Sequence, residues 1–410
     1  MFRTIVQSYR EAFSGLPRSV WLLATAQFVN RSGTMVLPFL TLWLIEERGF
    51  SPVTAGRALG LYGIGAMIGA IAGGYLVDIL SPRRVMILSL LGAGAGFIIL
   101  GRIESRHGLL GMLFALSLVA EALRPAASTA LARSAAPGER VRAYALNRLA
   151  VNLGMTFGPT VGGFLAMRSY DWLFLVDGAT CLLAAGLLRT FYRDEPRPRE
   201  AGSAAAGIEA PRTPWRDGPL LVFLGLFTLY IVVLFQVFST YPLYIHRDLG
   251  HSEGLLGILL GTNTLVIVAV EMVIVHRLRN VPPLKLIGPG CFLFCAGLAL
   301  MPLGSGFAWL LFTVLVWTAG EMLALPFVET IVADRADERS RGRYLGMLTV
   351  SFALALVIAP VAGTWVYGHA GPAALWFGCG GVGAVLCLGF RALGERLGEP
   401  KGPAESAAGD

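Results

Sequence analysis

"AEALRPAASTALARSAAPGERVRAYALNRLAVNLGMTFGPTVGG" occupies residues 120–163, and a stretch about two hundred residues later, "GEMLALPFVETIVADRADERSRGRYLGMLTVSFALALVIAPVAG" (320–363), follows the same plan. Glu121, Pro125, "PGER" (137–140), Arg142, Tyr144, Gly158-Pro159 and Gly162 in the first correspond to Glu321, Pro326, "ADER" (336–339), Arg341, Tyr344, Ala359-Pro360 and Gly363 in the second. In each copy a basic loop separates two apolar runs. An internal repeat of this kind is one way to build a membrane protein from two like bundles.

The rest of the chain agrees. Of 410 residues 55% are hydrophobic and only 14% charged, with a mean hydropathy of +0.66. A soluble domain carries about 25% charged residues. Twelve apolar runs recur, at about 19–46, 53–78, 84–102, 108–133, 141–167, 171–191, 218–246, 253–277, 284–304, 307–333, 343–367 and 373–391. A helix of roughly 20 apolar residues crosses about 30 Å of hydrocarbon. The expected fold is therefore an all-α polytopic membrane protein with twelve transmembrane helices in two pseudo-symmetric six-helix bundles.

Domain boundaries follow from composition. Residues 1–18 place Phe2, Ile5, Val6, Tyr9 and Phe13 on one face of a short amphipathic helix that lies on the membrane surface. The bundles are 19–191 and 218–391, joined by a Pro-, Ala- and Arg-rich linker (192–217) and followed by a flexible tail (392–410). The start "MFRTIVQSYREAFSGLP" lacks the apolar core and cleavage site of a signal peptide.

The net charge of +7 is a matter of topology rather than of nucleic-acid binding. With both termini cytoplasmic, cytoplasmic segments and helix ends hold 24 of the 33 Lys and Arg residues, and the outer side six. The remaining three, Arg31, Arg124 and Arg148, fall inside spans. The bias fixes the orientation, in a bacterial-type cytoplasmic (inner) membrane.

Other classes are disfavoured. No G-x-x-x-x-G-K-[ST] is present to bind ATP. The five histidines are scattered near span ends, and Cys291 and Cys295 share a helix face with no His or carboxylate beside them. Neither an intramembrane enzyme nor a metal site is expected, and no cofactor.

Three motifs resemble those of the major facilitator superfamily, over nearly the whole chain. "GGYLVDILSPRR" (73–84) is similar to the family signature G-x-x-x-D-R-x-G-R-R, with Gly74, Asp78, Arg83 and Arg84 matching, while Ile79 replaces a basic residue and Ser81-Pro82 the Gly-basic pair. The resemblance implies a latch between the cytoplasmic ends of the bundles; an interfacial salt bridge is the plainer reading. "NLGMTFGPTVGG" (152–163) resembles the helix-5 motif of proton-coupled exporters, through Gly158, Pro159, Gly162 and Gly163. "TAGEMLALPFVETIVADRADERSRGR" (318–343) resembles the tenth helix of drug:proton antiporters, in which the glutamate at the Glu321 position takes up the coupled proton.

Several buried polar residues lie at comparable depth. Arg31 is about 13 residues into the first span, Glu121 about 13 into the fourth and Glu321 about 14 into the tenth, each some 20 Å from its end. The family's first, fourth, seventh and tenth helices line a central cavity. Glu321 and Glu121 are thus expected to carry or tune the coupled proton, with Arg31, Arg124, Asn30, Gln27 and Gln236 lining the substrate cavity. Arginine does not release its proton, so Arg31 is a partner and not a carrier. Glu271 and Glu329 read equally as a relay or gate and as partners of Arg277, Arg341 or Arg343. Asp177, Arg148 and Asn152 read as structural.

The expected function is proton-coupled export of small amphiphilic molecules by alternating access, driven by the proton gradient, with protons and membrane lipids as partners and a monomeric state. The runner-up is proton-coupled uptake, since "QFVNR" (27–31) puts Arg31 where peptide symporters carry the arginine of E-x-x-E-R, with both glutamates replaced by amides. A lipid or lysolipid translocator is a third reading.

Overall fold

The structure is a computed structural model, and it describes residues 14–136, 139–194, 214–278, 281–335 and 341–397. The amphipathic helix, most of the linker and most of the tail expected from sequence lie outside these residues. The described residues are helical, with turns between, and contain no strand. Helices keep every backbone N–H and C=O bonded within one segment, as a chain surrounded by hydrocarbon requires.

Among the described residues, eleven apolar helices are long enough to cross a membrane, from Arg18–Glu46 to Tyr344–Arg396. The last runs 53 residues but bends at Gly371, whose φ of 85° and ψ of 167° suit glycine, with Pro372 next. That bend divides it into two spans at the place the sequence indicates, giving twelve.

The chain packs as two compact units whose limits do not follow the six-plus-six division. One takes in the described parts of Met1–Leu40, Leu61–Ala206 and Ser252–Thr264; the other takes in Thr41–Gly60, Gly207–His251 and Leu265–Asp410. The start of the eighth span thus packs with the first unit and the start of the second span with the second unit. The contacts explain why. In the first unit a Cβ on Gly257 would sit 2.5 Å from the Pro159 carbonyl, and one on Gly261 would sit 1.8 Å from Thr160 Oγ1. In the second unit a Cβ on Gly56 would sit 2.5 Å from the Pro360 carbonyl, and one on Gly60 would sit 2.7 Å from Val361 Cγ2. Only glycine permits such backbone approach. These two G-x-x-x-G pairs, 201 residues apart, are a repeat signal that the sequence reading missed.

The first span departs from the continuous helix expected. It is helical over Arg18–Ser32 and again over Val36–Glu46, with a break between. Pro38 has no N–H for the Thr34 carbonyl, so the ladder opens one turn before it. The seventh span, Gly218–Asp248, breaks at Phe235 and Thr240 and ends in a π-helical turn over Tyr244–Asp248; Pro242 removes the donor for Phe238 in the same way.

Candidate functional site

In the first unit the polar residues gather at the break in the first span. Asp177, 3% exposed, directs Oδ2 at the freed backbone amides: Met35 N–H donates at 3.3 Å and Val36 N–H at 3.2 Å. A buried amide without an acceptor costs about 1–3 kcal/mol, so this carboxylate holds the break open. The structural reading of Asp177 thereby acquires a specific role. The fifth span packs closely on the same place. A Cβ on Gly154 would lie 2.6 Å from Arg31 Cβ, and one on Gly158 would lie 2.8 Å from the Thr34 carbonyl. Gly162 faces Met35 and Phe39, whereas Gly163 faces Glu253 and Gly257 of the eighth span.

Arg31 lies half-buried beside this packing. Its Nε is fully buried with no hydrogen-bond partner, and Glu121, Arg124, Tyr62 and Cys181 lie within electrostatic reach. Tyr62, 8% exposed, was not singled out by sequence; the available signal was a phenol in an otherwise glycine-rich apolar span. Glu121 and Arg124 form an ion pair at 3.4 Å, with Arg124 58% exposed and Glu121 22%. Asn30 is buried, and its Nδ2 donates to Cys181 Sγ of the sixth span at 3.3 Å. Gln27 and Asn30 line a small internal cavity with Leu23, Met86 and Leu188.

The second unit treats its polar groups differently. Gln236 is tied into its own unit by hydrogen bonds. It is 3% exposed, and its Nε2 donates to the carbonyls of Ala359 at 2.9 Å and Val232 at 3.1 Å. Its Oε1 accepts from Thr240 at 2.9 Å and Ser239 at 3.3 Å. Both ends of the amide are committed within the unit, because the broken seventh span needs them. Glu321 is half-buried in the tenth span, within electrostatic reach of the wholly buried Tyr230, whose hydroxyl has no hydrogen-bond partner among the described residues. Glu271 is buried at 7% exposure. The Glu329 side chain lies outside what is described.

The loop after the second span is anchored through Arg83. Arg83 is held within its own unit: NH2 donates to the Arg189 carbonyl at 2.6 Å, and its backbone N–H donates to Asp194 at 3.1 Å. It thereby covers the carbonyl end of the sixth span. Arg84 is exposed, a Cβ on Gly74 would meet nothing within 4 Å, and the Asp78 side chain lies outside what is described. Ser81 has a φ of 106°, the left-handed region that favours glycine, at the place where the signature has one. At the other end of the repeat, Asp217 caps the seventh span through Leu220 N–H and takes a two-pronged contact from Arg335, NH2 to Oδ1 at 2.8 Å and Nε to Oδ2 at 3.2 Å. Partial burial works against the charge, but the Arg335 hydrogen bonds and the capped amide outweigh it, and the Asp217 carboxyl is held below its ordinary pKa.

The family model of the Major Facilitator Superfamily matches residues 21–343. The chain belongs to that superfamily. It is a multi-pass membrane transporter and not an enzyme. Among curated relatives, it is 26% identical to the multidrug resistance protein MdtH of Sodalis glossinidius, over 93% of this chain and 94% of that one. It is 24% identical to a Na(+), Li(+), K(+)/H(+) antiporter of Planococcus maritimus, over 88% and 90% respectively. Among solved structures, a POT family transporter in complex with a thioalcohol-conjugated peptide superposes with a TM-score of 0.78 at 16% identity, over 95% of this chain and 99% of that one. That likeness concerns the fold alone.

Proposed function

We propose that this transporter is a proton-coupled antiporter that exports small amphiphilic molecules by alternating access. It would act as a monomer in a bacterial inner membrane, with both termini cytoplasmic. The observation that carries the reading is Glu321, a carboxylate midway along the tenth span whose repeat counterpart, Glu121, is ion-paired to Arg124. A carboxylate in a low-dielectric setting changes its proton affinity when a cation or substrate approaches, which is the requirement for coupling. The names of the MdtH and cation/proton antiporter relatives support exchange and export. Glu121, paired with Arg124 three residues later in the same span, would tune the coupling; Glu271 and Glu329 would serve as relay or gate. The direct test is flux in proteoliposomes under an imposed pH gradient, where Glu321→Gln should abolish gradient-driven movement; full flux in that variant would remove the assignment.

A second reading, uptake by symport, is favoured by one observation: Arg31 stands at the position of the peptide-symporter arginine. The direction of substrate movement under an inward proton gradient separates the two, since expulsion means export and accumulation means uptake.

A further inference from the structure

Arg31 is the guanidinium deep within the first span, and among the described residues it has no acceptor. Its Nε is buried without a hydrogen-bond partner, and no carboxylate oxygen of the described residues lies within 4 Å of its nitrogens. The charged groups around it are Arg124, Glu121 and Asp177, with the neutral Tyr62 and Cys181 beside them. Both carboxylates have other partners: Glu121 is joined to Arg124 at 3.4 Å, and Asp177 accepts from the Met35 and Val36 amides. The local balance around Arg31 is therefore short of one acceptor. A charge taken out of water without a partner is held at a penalty, and a guanidinium offers a flat fork of donors that matches a carboxylate or phosphate. The side chain is half-buried and not sealed, and the side chain of Arg124 stands 58% exposed nearby. One turn before Arg31, Phe28 meets Phe157 edge-on at 6.2 Å, an apolar wall next to the cation.

We propose that Arg31, assisted by Arg124 and the Tyr62 hydroxyl, docks the oxyanion of an amphiphilic substrate whose aromatic or apolar body rests on Phe28 and Phe157. The inference rests on the transporter reading above and names its substrate class: organic anions, not lipophilic cations. The same chemistry is offered by a free carboxylate and by an acidic lipid headgroup.

The experiment uses the full chain in nanodiscs of phosphatidylcholine and three matched probes: 1-naphthoate, its methyl ester and the 1-methylquinolinium cation. Thermal unfolding should show stabilisation by naphthoate alone. Arg31→Gln should weaken naphthoate about tenfold or more, and Arg31→Lys, which keeps the charge but not the fork, should weaken it less. Should Arg31→Gln fail to fold, the Arg31→Lys and Arg124→Gln variants carry the comparison. Adding phosphatidylglycerol separates the sources: loss of naphthoate binding assigns the site to a lipid headgroup, and unchanged binding assigns it to a free anion. Quinolinium stabilising as well as naphthoate, no stabilisation by any probe, or naphthoate binding unaltered by the folded variants would overturn the proposal. Gradient-driven flux of quinolinium would then leave the transporter reading intact. Arg31-dependent naphthoate binding with no flux of any compound would do the reverse.

Discussion

The first and seventh spans carry prolines at matching positions, Pro38 and Pro242, and both break on the N-terminal side of the proline, yet the breaks are repaired by opposite means. In the seventh, the span repairs itself: Gln236, Ser239 and Thr240 form a closed set of hydrogen bonds with its own carbonyls and with Ala359. In the first, the acceptor comes from outside, as Asp177 of the sixth span, and the position equivalent to Phe235 holds an arginine left without an acceptor. One unit has a closed, neutral repair, and the other has a charged repair with an unmatched donor next to it. Duplicated sequence thus gives a shared scaffold, and the copies diverge in how that break is satisfied.

The strongest attempt to break this comparison is at the glutamates. Glu321→Gln is expected to lower pH-gradient-driven flux by at least about an order of magnitude, and Glu121→Gln by less, because Arg124 already compensates Glu121. Equal losses in both variants, measured in proteoliposomes, would mean that the copies have not diverged in role.

Next is the repair itself. Asp177→Ala orphans two buried amides and should destabilise the protein by about 2–4 kcal/mol, while Asp177→Asn, which still presents an oxygen, should recover much of that. Gln236→Leu should cost about 1–3 kcal/mol through the Ala359 and Val232 carbonyls. Thermal unfolding in detergent gives all three, and a smaller loss for Asp177→Ala than for Gln236→Leu would contradict the assignment of the outside acceptor.

A smaller effect is expected at Asp217. Its folded pKa is depressed, so its stabilisation is present above the unfolded value of about 4 and is lost as pH falls through the folded value. Asp217→Asn should be about 1 kcal/mol less stable than wild type at pH 7, with the gap closing below about pH 4. A gap independent of pH would show that the Arg335 contact adds nothing. The smallest change is favourable: Ser81→Gly should stabilise by about 1 kcal/mol, since glycine adopts the positive φ without strain. No gain in melting temperature would show that the loop relaxes around serine.

Much of this was legible in the chain. Apolar run length gave the twelve spans, because backbone groups in hydrocarbon leave few alternatives to a helix. The gap between the runs at 343–367 and 373–391 marked the division of the last helix, and the repeat of Glu121 and Glu321 marked the related spans. Arg31 could be found by its depth alone, since a charge in an apolar run needs a reason. What the sequence could not give was pairing. Gln27, Asn30 and Gln236 share a depth, but depth does not say which way a side chain points, and Asn30 and Gln236 turned inward to satisfy neighbours within their own units. Asp177, 146 residues from Arg31, entered the site only because the sixth span packs beside the opened turn. Insertion energetics are local to each helix and are written in its composition; which donor meets which acceptor depends on the packing of distant helices, and only the tertiary structure decided that.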